Sequence, residues 1–200
     1  MPNTEIAALE MQIFELTNKL NQLRKAEAGT EIRNYQFTTQ AGEASLLDLF
    51  GDRDTLLLIH NMGQGCRYCT LWADGFNGLL PHLESAMSVV LVSRDEPGLQ
   101  RQFANSRGWR FRLASHGGGD YLQEQSVQAG AGNMPGAVVY TRDGTTMRRK
   151  NAVAFGPGDM YCPAWNLLAM AGQDEAGWTP QFAYWRRPAQ MDDGGANLID

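Results

Sequence analysis

Cysteine is scarce in this chain: there are three in 200 residues, at positions 66, 69 and 162. That is too few for a framework of structural disulfides, and a chain of this length can bury a core without one. Basic charge is also short. Lys and Arg number 17 against 22 Asp and Glu, for a net charge of −5 with no long basic run, which leaves no electrostatic footprint for nucleic acid. No apolar run approaches the roughly 20 residues that cross a bilayer, and the first residues lack a basic stretch followed by an apolar one. The expectation is a cytoplasmic protein with neither a nucleic-acid nor a membrane partner. Histidine is as rare as cysteine (His60, His82, His116), and neither a second C-x-x-C nor an H-x-x-x-H pattern exists. A zinc site would therefore have to complete its four ligands from Cys162 or scattered histidines, so no metal or other cofactor is expected.

What is present is organised around residues 55–83. Leu56, Leu57, Leu58 and Ile59 form an apolar strand without alternation, as expected for a strand buried on both faces in mid-sheet. A turn carrying Gly63 and Gly65 follows, and Cys66-Arg67-Tyr68-Cys69 then opens an amphipathic helix with Leu71, Trp72, Phe76, Leu79, Leu80 and Leu83 on one stripe. A C-x-x-C at a strand-to-helix junction has the spacing of a dithiol redox site. Unpaired amides and the helix dipole at such a terminus stabilise a thiolate, the species that attacks a disulfide or a peroxide. Cys66, at the helix start, is the expected attacking thiol and Cys69, one turn inside, the resolving one, with Arg67 placed to help hold Cys66 ionised. Half of a zinc site and a pair of incidental core thiols are the competing readings. The chemistry implies a protein or small-molecule disulfide or thiol as partner.

Elsewhere the patterns are plainer. Thr4 to Ala28 reads as a helix whose Ile6, Leu9, Ile13, Leu16, Leu20 and Leu23 fall three and four apart, with Gly29 to stop it. It is either a helix packed on its own domain or a dimer-forming arm. A short strand is expected at 35–38, a capped helical turn at Ser45 to Gly51 and a buried strand at Ser88 to Ser93. A helix starts at Asp95-Glu96-Pro97, and an edge strand is expected at 109–115. Pro81 should kink or end the helix that begins at the cysteines. An Asp143-Gly144 turn closes a β-hairpin, and Asp159 is placed to cap a last helix, Met160 to Ala171. The division is a helical arm (1–29), an α/β domain with a central mixed sheet flanked by helices (30–172), and an aromatic and basic extension with a polar tail (173–200).

Strand, C-x-x-C helix, strand, helix, then X-Pro and a hairpin is an order that resembles the thioredoxin superfamily. The resemblance implies a thioredoxin-like sandwich in which a cis-proline, here Pro135 after Met134, sits beside the dithiol; a trans bond there, or a Pro135 far from the Cys66 sulfur, would make the assignment wrong. The long stretch between Cys69 and Pro135 looks more like the peroxiredoxin branch. A closer resemblance runs through 37–50, the block from Cys66 to Phe76, Val92-Ser93-Arg94, Gly108-Trp109, Ser115-His116-Gly117 and Trp185-Arg186-Arg187. These are similar to the bacterial family called domain of unknown function 899, which implies a thioredoxin-like fold without a settled activity.

The resemblance leads to a thiol–disulfide oxidoreductase, with an antioxidant thiol peroxidase or a binding module that keeps the fold as alternatives. The peroxiredoxin pattern P-x-x-x-[ST]-x-x-C fits in neither register: Met62 and Cys66 precede Cys69, and Ile59 and Gly63 precede Cys66. A peroxidase here would draw on Arg94 or Arg142. Thioredoxins also use a buried Asp near the second cysteine, and residues 55–62 contain none. His60 is the nearest group for proton transfer, although a core histidine satisfying its neighbours explains it as simply. Tyr68 sits where glutaredoxins carry the same residue. Trp72, Arg94, His116, Met134 and Trp109 are candidates to line the pocket, Asp74 reads equally as a surface carboxylate, and Cys162 as a small buried hydrophobe.

Overall fold

The structure, a computed structural model, describes residues 4–128, 130–173 and 177–182. In chain order the elements are α1 (Thr4–Ala26), β1 (Thr30–Ile32), β2 (Gln36–Thr39), β3 (Gly42–Ser45), α2 (Leu46–Leu49), β4 (Thr55–His60), α3 (Arg67–Ala86), β5 (Ser88–Ser93), α4 (Pro97–Ser106), β6 (Arg112–Ser115), α5 (Asp120–Gln125), β7 (Gly136–Asp143), β8 (Thr146–Ala154) and α6 (Pro163–Met170).

The described strands form one mixed sheet in the order β1-β8-β7-β4-β5-β6-β2-β3, in which β4, β5 and β6 are parallel and the other pairings antiparallel. The even apolarity of β4 has the expected cause. Leu56 and Leu58 face one core with Tyr35, Phe37, Leu46, Leu49, Phe50, Tyr121 and Tyr140. Leu57 and Ile59 face the other, built on Trp72, Leu80, Trp109, Phe111, Phe155 and Trp165. Helices α2 and α5 therefore cover one face of the sheet and α3, α4 and α6 the other, in the layered arrangement of α/β sandwiches. The capping box is present: Ser45 Oγ accepts from the Asp48 amide at 3.3 Å and the Asp48 carboxylate accepts from the Ser45 amide at 2.7 Å.

Several expectations are corrected. Residues 112–115 form an inner strand, because β2 pairs outside it at Thr38 and Ser115. Helix α3 does not end at Pro81 but runs on to Ala86, with Pro81 on its exposed side. The last helix starts at Pro163, with Cys162 at the N-cap position and no side-chain cap bond, while Asp159 closes the preceding turn by accepting from the amides of Gly156, Tyr161 and Cys162. The Met134–Pro135 peptide is trans, against the expected cis-proline. The entry into the hairpin is made instead at Gly136, where a Cβ would lie 2.2 Å from the Val153 carbonyl oxygen and 2.8 Å from Val127 Cγ1. Pro135 still opens the hairpin, its carbonyl accepting from the Phe155 amide at 2.9 Å, so the sandwich stands without the cis bond and the expectation tying one to the other is withdrawn. Trp185-Arg186-Arg187 and the polar tail lie outside the described residues.

Candidate active site at the start of helix α3

The parallel strands β4, β5 and β6 end on the same side of the sheet, the edge at which open α/β sheets place their sites. From β4 the chain enters the turn Asn61-Met62-Gly63-Gln64-Gly65. The Asn61 amide donates to Val92 O at 2.9 Å, extending the β4–β5 ladder by one residue. Its Oδ1 accepts from the Gly63 amide at 2.8 Å, an Asx turn, and its Nδ2 donates to the Cys69 carbonyl at 3.4 Å. Gly63 has φ +112°, and a Cβ there would lie 2.8 Å from both carboxylate oxygens of Asp95, which also accepts from the Gln64 amide at 2.8 Å. From the other side Asn133 Nδ2 donates to Met62 O at 3.3 Å. The turn is thus tied to the loops after β5 and before β7, and it delivers Cys66 to the end of a helix.

Cys66 is the N-cap of α3, with extended backbone (φ −102°, ψ 103°), and its Sγ accepts from the Cys69 amide at 3.2 Å. Sulfur here takes the place of the oxygen that Ser, Thr, Asp or Asn supplies at most N-caps. The Cys69 thiol also donates to it, and the Cys69 and Tyr68 amides add to the stabilisation of an anion. Together, with the Cys69 thiol first, these bonds outweigh partial burial and lower the Cys66 thiol to about 6. Cys69 is buried, and the same contact with Cys66, followed by burial, holds its own proton tightly. Its sulfur accepts from the Met62 amide at 3.4 Å. The pair is therefore asymmetric, with a half-exposed acidic thiol in front and a buried proton donor behind; all three cysteines are free thiols.

The other predicted site residues divide. Arg67 is exposed and is not among the groups that lower Cys66. Tyr68 lies against the rings of Trp72 and Trp165. Trp72 is a core residue whose indole N–H is buried with no acceptor among the described residues. His60 points into the core opposite α3, its Nε2 2.7 Å from Tyr121 Oη, and burial presses it to about 3. It is a satisfied core histidine, on the wrong face to serve the thiols. Arg94 and His116 are neighbours at the ends of β5 and β6: the Arg94 guanidinium lies 3.0 Å from where a Gly118 Cβ would be, and His116 Nδ1 accepts from the Gly118 amide at 3.1 Å.

Met134 packs against the core that contains Tyr121. Arg142 bonds Asp54 and Gly51 at the opposite end of β4 from the cysteines. Trp109 and Arg107 both donate to Asp74, fastening α3 to the segment before β6. The residues missed were Asn61, Asp95 and Asn133. Asn61-Met62-Gly63 carries a local Asx-turn signal, whereas Asp95 and Asn133 reach the turn only through tertiary pairing. Among the described residues no group of three or more His, Cys, Asp or Glu could hold a metal ion, and no helix is long and apolar enough to cross a membrane.

Solved structures similar to this chain include peroxiredoxin Q of Xanthomonas campestris in a cysteine-to-serine variant, with TM-score 0.51, 18% identity and coverage of 68% of this chain and 88% of that one. A second is the bacterioferritin comigratory protein of the same organism, whose structures concern its alkyl peroxide reduction activity, with TM-score 0.51, 17% identity and the same two coverages. At these identities the likeness is one of fold. No curated protein sequence matches the chain. The model of one family, described as "Bacterial protein of unknown function (DUF899)", matches residues 3–190, so the chain belongs to that bacterial family.

Proposed function

We propose that the protein is a thiol–disulfide oxidoreductase in which Cys66 attacks and Cys69 resolves. The observation that carries this is the Cys66 sulfur at the N-cap of α3, accepting both the amide and the thiol of Cys69. The Cys66 thiolate attacks one sulfur of a substrate disulfide, forming a mixed disulfide and expelling the other sulfur as a thiolate. Cys69 then loses its proton to that leaving group and attacks Cys66, releasing the second substrate sulfur as a thiolate and leaving a Cys66–Cys69 disulfide. A reducing thiol pair from elsewhere returns both cysteines to the starting state.

The test has two parts. Alkylation of Cys66 followed against pH should show a midpoint near 6, well below an ordinary thiol, and the Cys69→Ser variant should accumulate mixed disulfides that Cys66→Ser does not. An unshifted midpoint together with no trapped adduct would refute the proposal.

Thiol peroxidase is the second reading, favoured by the peroxiredoxins among the similar structures. The same thiolate would take one oxygen from a hydroperoxide, giving Cys66 sulfenic acid and an alcohol, and Cys69 would condense with it to the disulfide and water. Against it stand Met62 and Ile59 where the peroxiredoxin proline would be, and Arg142 engaged with Asp54. Stoichiometric loss of an alkyl hydroperoxide on mixing with reduced protein, faster than its reaction with a small disulfide, would favour peroxidase chemistry.

A further inference from the structure

Helix α1 buries none of its 23 residues. Thr17, Leu20 and Arg24 are partly covered where the helix leans on the body: the Arg24 guanidinium donates to Tyr161 Oη at 2.8 Å, and Asn151 donates to the Arg24 carbonyl at 3.2 Å. The rest of the apolar seam, Ile6, Leu9, Ile13, Leu16 and Leu23, is 51–66% exposed. Helices in proteins draw most of their stability from packing an apolar face, and such an exposed row of large apolar side chains marks a contact surface.

The pattern of the seam says what covers it. Written as a heptad, Ile6, Ile13 and Leu20 take the a positions and Leu9, Leu16 and Leu23 the d positions. The order is palindromic: turned end for end, Ile6 meets Leu23, Leu9 meets Leu20 and Ile13 meets Leu16, so every a residue faces a d residue of an identical helix. The charges select the same arrangement. The N-terminal half carries Glu5, Glu10 and Glu15 and the C-terminal half Lys19, Arg24 and Lys25. The positions flanking the seam are Glu5, Gln12 and Lys19 on one side and Glu10, Thr17 and Arg24 on the other. In a parallel pair, Glu5 would face Glu10 and Lys19 would face Arg24, which is like against like at both ends. In an antiparallel pair the acidic half of each helix lies along the basic half of its partner.

We infer that α1 pairs with the α1 of a second copy as an antiparallel coiled coil, giving a two-fold dimer. The contact is isologous: each helix offers the same seam, about 27 Å long at 1.5 Å per residue, and the two-fold axis passes between Ile13 and Leu16. Each end of the pair meets a body, since Leu23 precedes Arg24 at the rim of an apolar groove of about 310 Å³ lined by Leu57, Phe76, Leu79, Leu83 and Phe155. The inference does not depend on the thiol chemistry.

Sedimentation velocity of the full chain between about 5 and 500 µM tests it, because a dimer of this kind dissociates on dilution. The wild type should be a dimer at the upper end. Leu16→Glu, at a position exposed in the monomer, should be monomeric with unchanged far-UV ellipticity per residue of the body and unchanged Cys66 alkylation. Lys19→Glu gives the orientation: it sets like charges together in the antiparallel pair and should weaken association roughly tenfold, with Glu5→Lys added to it restoring association. A wild type monomeric throughout, or a Leu16→Glu variant as dimeric as the wild type, would overturn the seam as the interface. Association strengthened by Lys19→Glu alone would overturn the antiparallel orientation, since that change pairs opposite charges in a parallel dimer.

Discussion

At the scale of single residues, the acidity of Cys66 rests on a neighbour rather than on a basic side chain. The Cys69 thiol is the largest contribution to the lowering, the helix-terminal amides come after it, and the Arg67 guanidinium is not among the causes. A thiolate at the N-cap also interacts favourably with the helix dipole, so the same bonds that prepare the nucleophile hold the first turn of α3. Replacing Cys69 with alanine removes the donor and leaves the amides. The Cys66 midpoint in Cys69→Ala should therefore climb from about 6 toward the ordinary value of 9.0 without reaching it, as read from the pH dependence of iodoacetamide alkylation. A midpoint that stays at 6 would assign the whole effect to the backbone. Arg67→Ala provides the contrast, because its midpoint should not move.

At the scale of elements, the site depends on how β7 enters the sheet beside β4. His60 pairs with Gly136, and Gly136 pairs with Ala154, so this glycine lies between the strand that leads to the cysteines and the return arm of the hairpin. Its missing side chain is what lets Val153 O and Val127 approach. A methyl group in Gly136→Ala meets backbone that cannot swing aside, and the expected cost is about 3 kcal/mol or more, a fall in melting temperature of roughly 6–12 °C. A variant melting within about two degrees of the wild type would show that the hairpin yields at no cost. The same contrast between local and tertiary causes explains what the sequence disclosed. The apolar run 56–59, the C-x-x-C, the Ser45–Asp48 box and the Asp143-Gly144 turn are signals carried by adjacent residues, and each appears where it was read. β1 and β3, at three and four residues, are too short to show a period, α5 follows a glycine run, and the inner position of β6 depends on β2 pairing from 70 residues and more upstream. The face to which His60 points is set by strand register, so sequence proximity to Cys66 misplaced it.

At the scale of the whole molecule, the two cores differ in character, and this makes stability depend on acid. One is apolar and aromatic around Trp72 and Trp165. The other contains a chain of buried polar groups: His60 to Tyr121, Tyr121 to Tyr140, Tyr140 to Gln125, and Gln125 to Tyr35, which reaches Glu124 and Arg33 at the surface. Both buried histidines lie against the ring of Tyr121. Burial first, then the charges of His116 and Arg149, press His60 down to about 3. Burial first, then Arg94, presses His116 to about 4, with Asp95 opposing. Both are neutral in the folded protein at neutral pH, and both would titrate near 6.5 once unfolded. Below pH 6.5 the unfolded chain takes up protons that the folded chain refuses, so stability falls as pH falls and keeps falling until the folded-state values are reached. The loss between pH 6 and 4.5 should be about 3 kcal/mol for the pair, before carboxylates with ordinary pKa values contribute much. Urea unfolding at half-unit intervals of pH would show it as a midpoint that drops steadily across that window. A midpoint constant from pH 6.5 to 4.5 would mean that the polar core opens to admit the protons without unfolding.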